Sequence, residues 1–95
     1  MYARVVIAQT TGPDQTEALR SIFLKHIRSE MVKNAANVGA NFMVEDGGNM
    51  ILIITHWTSR ENCLKYHCSR AYRQLVAKTQ HLLIGDFVVK LFRME

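Results

Sequence analysis

The sequence predicts an α+β domain whose strands and helices follow the order β-α-β-β-α-β. Three observations carry that prediction: the apolar run Ile51 to Ile54 passing through Trp57 into a helix start, an amphipathic stretch after Pro13, and the pair Gly47-Gly48 between two strand-like segments. The run Ile51-Leu52-Ile53-Ile54 has no polar alternation, so both faces of that strand need cover. A chain of 95 residues carries helix enough for one side, which points to a second subunit on the other.

Tyr2 to Gln9 reads as the first strand, with Ala3, Val5 and Ile7 on one face and Arg4, Val6 and Ala8 on the other. Pro13 suits the first turn of a helix, where its missing N–H costs nothing, and Asp14 and Glu17 favour the helix dipole. Leu19, Ile22, Phe23, Ile27 and Met31 then recur at helical spacing to about Ala35, with Asn37 and Gly39 expected to close the helix. Asn41 to Glu45 is a second strand, and Asp46-Gly47-Gly48-Asn49 supplies the positive φ angles of a tight hairpin into the third. After Trp57, Thr58 and Glu61 have capping-box spacing, which predicts a short helix from Thr58 to about His67. Ser69 caps a further helix with the stripe Tyr72, Leu75, Val76, Thr79, Leu82 and Leu83. Gly85-Asp86 stops it, and Phe87 to Phe92 is the fourth strand. This is the split βαβ order of ferredoxin-like folds, in a single domain spanning residues 1–95.

Composition excludes several classes of function. The net charge is +4, but the twelve basic residues, Arg4 among them, are scattered rather than gathered into a stripe with interleaved aromatics, which argues against nucleic-acid binding. Apolar runs of four or five residues fall far short of the ~20 that a membrane span needs. Cys63 and Cys68 lack CxxC spacing and fit free thiols in a reducing, cytoplasmic setting. No metal-ligand cluster or phosphate loop occurs, so neither a metal nor another cofactor is expected. A chain this short buries only about 60–65% of its unfolded surface, so pairing with its own copy would stabilise it. A homodimer through the sheet is the expected partner arrangement.

The segment Ile54-Thr55-His56-Trp57-Thr58-Ser59-Arg60-Glu61, with Tyr66 and Ser69 after it, resembles the antibiotic biosynthesis monooxygenase-like family of dimeric α+β barrels, and the likeness in length and element order covers the whole chain. The resemblance implies a pocket between sheet and helices. It also implies an activity among those of the family's enzymes, which include cofactor-independent oxygenases acting on quinols and aromatic polyketides, haem-degrading oxygenases and some isomerases. Many members carry His nine residues after the Trp and another five later; those positions are Tyr66 and Ala71 here, with His67 and Tyr72 one residue out of register. The haem-degrading pattern, Asn at the end of the first strand with Trp and His at the positions of Tyr66 and Val76, is missing.

His26 and Tyr66 are the candidate catalytic residues. His26 lies among the apolar positions of the first helix, where a desolvated imidazole stays neutral and can take a proton. Tyr66 offers a phenol to a substrate oxygen. Trp57, His56, Tyr72 and Arg73 are candidates for contacting substrate, though a core corner suits Trp57 better, His56 points to the opposite face from Trp57, and a solvated surface suits Arg73 better. The expected function is a cofactor-independent oxygenase taking a small phenol or quinol. The alternative is a non-catalytic dimer that binds a small hydrophobic or aromatic molecule.

Overall fold

A computed structural model describes residues 1–95. The elements are β1 (Tyr2–Gln9), α1 (Pro13–Lys33), β2 (Asn37–Val44), β3 (Met50–Trp57), α2 (Arg60–His67), α3 (Arg70–Thr79) and β4 (Val88–Arg93), with a 3-10 turn at Gln80–Leu82. All four strands pair antiparallel in the order β2-β3-β1-β4. This is the ferredoxin-like α+β arrangement. β1 and β3 run together from Tyr2 opposite Trp57 to Gln9 opposite Met50 and form the centre of the sheet. No helix is long and apolar enough to cross a membrane.

The helices cover one face. Val6, Ala8, Ile51 and Ile53 meet Leu19, Phe23 and Ile27 of α1 and Leu82 in one buried cluster. Ala36, Trp57, Cys63, Tyr66, Tyr72 and Leu75 form a second, more aromatic cluster at the other end of the sheet. Strand alternation sends Val5, Ile7, Leu52, Ile54 and His56 to the opposite face, where they are only half-buried. Met43, Val88 and Phe92 extend that face and are exposed.

Several boundaries differ from the sequence expectation. α1 ends at Lys33, before Asn37 and Gly39. The Asn34 side chain accepts from the Ala36 amide, and the Asn37 amide donates to the Asn34 carbonyl, so the helix ends about two residues early. β2 therefore begins at Asn37, with an irregularity between Asn37 and Gly39. Only Gly47 in the hairpin has a positive φ, at 76°. The cap of α2 is Ser59, whose hydroxyl accepts from the Asn62 amide, and not Thr58. The reason is that the Thr58 amide donates to the Ala36 carbonyl at 2.9 Å, which holds Thr58 in line with β3, so Ser59 is the first residue free to turn. α3 stops at Thr79 rather than running to Leu83, because Leu83 is extended and bridged to Thr10.

Candidate functional site

The aromatic end of the interior collects most of the titratable side chains that the helices bury. Ser59 starts α2 so that Cys63 and Tyr66, one turn apart, both point inward. Ser69 caps α3 by accepting from the Tyr72 amide at 3.1 Å, and so turns Tyr72 and Leu75 into the same space. His26 arrives from α1 at the same layer as Phe23 and Ile27. The Tyr66 hydroxyl and His26 Nε2 are hydrogen-bonded at 2.6 Å.

Around Tyr66 the rings form a continuous packing. Its centroid lies 5.4 Å from that of Trp57, 5.6 Å from Tyr72 and 5.8 Å from His26, all tilted, a spacing that favours aromatic pairs. Trp57 is fully buried, and its indole N–H donates to Thr55 Oγ1 at 2.8 Å. Burial pushes the Tyr66 phenol well above its ordinary value, the nearby Arg4 charge opposing only in part. Burial also lowers His26, with Glu30 opposing and Lys33, Lys78 and Arg4 adding to the effect. At neutral pH the pair is thus a neutral imidazole joined to a protonated phenol.

The residue missed by the sequence reading is Arg4. It is 3% exposed and takes part in none of the chain's ion pairs. Its guanidinium sits over the Tyr72 ring at 4.2 Å and near the Tyr66 ring at 5.2 Å, and Nη2 donates to His67 Nδ1 at 3.1 Å. Its Nε is the one buried side-chain polar atom without a partner. Cation–π contact recovers about 2 kcal/mol when desolvated, against a penalty of several kcal/mol for burying an ion. The signal available in the sequence is phase: Arg4 shares the strand face of Val6 and Ala8, the residues that face the helices. His67 is one residue out of the family's register, yet the ~100° rotation that takes it away from the Tyr66 direction brings it to Arg4. Burial lowers the His67 imidazole, and the Arg4 charge lowers it further.

Two spaces adjoin this cluster. A groove of about 450 Å³ between α1 and α3 exposes one side of His26 and is lined also by Glu30, Lys33, Gln74 and Lys78. A smaller cavity of about 130 Å³ lies between α2 and β4, with Arg4 and His67 in its wall. Of the residues singled out from sequence, His26, Tyr66, Trp57 and Tyr72 therefore stand together. His56 lies on the other face of the sheet, where its ring covers Gly39. Arg73 is exposed and donates to the Cys68 carbonyl at 2.9 Å.

No family model matches the sequence, and no curated protein does. The fold, in contrast, has many likenesses among solved structures. A monooxygenase from the gene ActVA-Orf6 of Streptomyces coelicolor, solved with nanaomycin D, superposes with a TM-score of 0.84 at 13% identity, covering 99% of this chain and 87% of its own. SnoaB, a cofactor-independent oxygenase from Streptomyces nogalater, gives 0.80 at 14% identity over 98% and 91% of the two chains. A structure described as an antibiotic biosynthesis monooxygenase gives 0.79 at 11% identity over 100% and 99%. From end to end, the chain has the fold of the antibiotic biosynthesis monooxygenases.

Proposed function

We propose that the protein is a cofactor-independent monooxygenase that converts a small, electron-rich phenol or quinol, working as a cytoplasmic homodimer. The observation that carries this reading is the buried hydrogen bond between Tyr66 and His26 inside an aromatic cluster. Oxygen chemistry without a cofactor needs a substrate that loses a proton and then supplies electrons to O₂ from its anion, in a site poor in water. For a phenol with a free para position, one O₂ yields the para-quinone and one water, with no outside reductant. Tyr66, held protonated, and neutral His26 are suited to relay the phenolic proton toward the groove beside α1. Trp57 and Tyr72 form the apolar wall. His56 belongs to the open sheet face in this scheme, and Arg73 to the surface.

The oxygenases among the fold neighbours support the reaction class. The apolar open face, with Val5, Ile7, Leu52 and Ile54 half-buried and Val88 and Phe92 exposed, supports a partner sheet stacked upon it. The free thiols of Cys63 and Cys68 suit a reducing compartment. Oxygen uptake with a panel of single-ring phenols and quinols tests the activity. Turnover should fall about 100-fold or more in His26→Ala and Tyr66→Phe, the usual scale of a lost proton-transfer group. Absence of oxygen uptake with every substrate, or unchanged turnover in both variants, defeats the proposal.

A second reading, a non-catalytic binder of a small aromatic molecule, is favoured by the apolar-walled cavity between α2 and β4, which neither His26 nor Tyr66 lines. Saturable binding without oxygen uptake would select it.

A further inference from the structure

We propose that Arg4 and His67 form a binding site for a small oxyanion carried on a single ring, seated in the cavity between α2 and β4. The cavity is lined by Arg4, Cys63, Leu64, His67, Val89 and Leu91, so a single buried cation faces walls that are otherwise mostly apolar. Its volume of about 130 Å³ is close to the roughly 150 Å³ of an engineered cavity known to take benzene. A ligand of one ring therefore fits the space.

The charge of that ligand follows from Arg4. A guanidinium carries donors only, so His67 Nδ1, 3.1 Å from Nη2, must be the unprotonated nitrogen of its ring. The cation's hydrogen-bonding partner is then a neutral imidazole, its face is taken by Tyr72, and Nε has no partner. A buried cation so placed lacks the counter-charge that normally accompanies one. A phenolate or ring carboxylate would supply it, with its apolar body against Val89 and Leu91. His67 is exposed at the mouth, and because its Nδ1 lone pair is engaged by Arg4, an entering phenol loses its proton to water as the oxygen passes to the guanidinium. As the substrate site of the proposed oxygenase this assignment rests on that reading; as an anion site it stands on Arg4.

Titration with 4-nitrophenol, whose phenolate absorbs visible light, and with benzoate tests it. At a pH where the free dye is mostly neutral, the wild-type protein should raise the phenolate band, and benzoate should displace the dye. Arg4→Met should weaken binding at least tenfold. Leu91→Trp, which fills the cavity and leaves the cation, should abolish it, and this variant decides the matter if Arg4→Met does not fold. Failure of both probes to bind, or binding unchanged in either folded variant, overturns the site. Binding of both probes by a protein that consumes no oxygen with any phenol upholds the anion site and sinks the oxygenase. Benzoate binding without nitrophenolate binding upholds the oxyanion site and removes the phenol as its ligand.

Discussion

The hydroxyl of Tyr66 and Nε2 of His26, forty residues apart in the chain, meet at 2.6 Å across the gap between α2 and α1. The phenol in this pair is protonated and the imidazole neutral, each because burial disfavours its charged form.

The alkaline titration should show it. The chain has three tyrosines, and Tyr66 should ionise far later than an ordinary phenol, whose value is 10.0. Because its folded-state value is raised, its contribution to stability is complete below pH 10.0 and is lost as pH climbs beyond that point. Phenolate absorbance against pH should end in a late step that coincides with unfolding. Tyr66→Phe should remove that step.

Acid should also destabilise the fold, through His26 and His67. Both are lowered in the folded protein, so below the ordinary value of 6.5 the unfolded chain binds more protons than the native one. Stability should fall as pH drops from about 6.5 and level off below the depressed native values. Urea midpoints measured across that range should flatten in a His26→Gln, His67→Gln double variant. An unchanged slope would contradict the lowered proton affinity assigned to these rings.

Trp57→Phe should cost about 1–3 kcal/mol from leaving the buried Thr55 hydroxyl without its donor. The smaller ring adds a void at a fully buried position. Chemical denaturation gives the loss directly, and for a domain of this size each kcal/mol corresponds to about 4–8 °C in Tm.

Ser59→Ala should cost about 1 kcal/mol, the usual value of a lost N-cap hydroxyl, and Thr58→Ala should cost far less. Equal losses would place the start of α2 one residue earlier.

Sedimentation equilibrium at micromolar concentration should give about twice the 10.9 kDa chain mass. Ile54→Glu, in the middle of the open face, should shift the protein to monomer with little loss of secondary structure. A wild-type protein that sediments as a monomer would remove the stacked-sheet arrangement.

Element order is legible in this chain because its segments carry distinct signals: the helical spacing of Leu19, Phe23 and Ile27 on α1, the short unbroken apolar run Ile51 to Ile54 on β3, and glycines at the turns. Boundaries are less so. Thr58 and Ser59 are chemically equivalent as caps, and only the Ala36 carbonyl, brought alongside by β2, decides between them. The proximity of His26, Tyr66, Trp57 and Tyr72 follows from their apolar phases. Arg4 does not emerge in that way, since a charge among eight strand residues looks like a solvated position until the helices are seen to lie over it. The separation of His56 from Trp57 follows from strand alternation alone.

Arg4 stands on β1, which is hydrogen-bonded to β3 on one side and β4 on the other, whereas its partner His67 is the last residue of an eight-residue helix. The two halves of the pair therefore belong to regions of different local stability: opening the centre of a sheet approaches global unfolding, while the end of a short helix frays at small cost. The cation is an anchored jaw and the imidazole a loose one. A ligand of the proposed anion site would thus meet a charge fixed by the sheet and a partner at the end of α2 that can adjust around it.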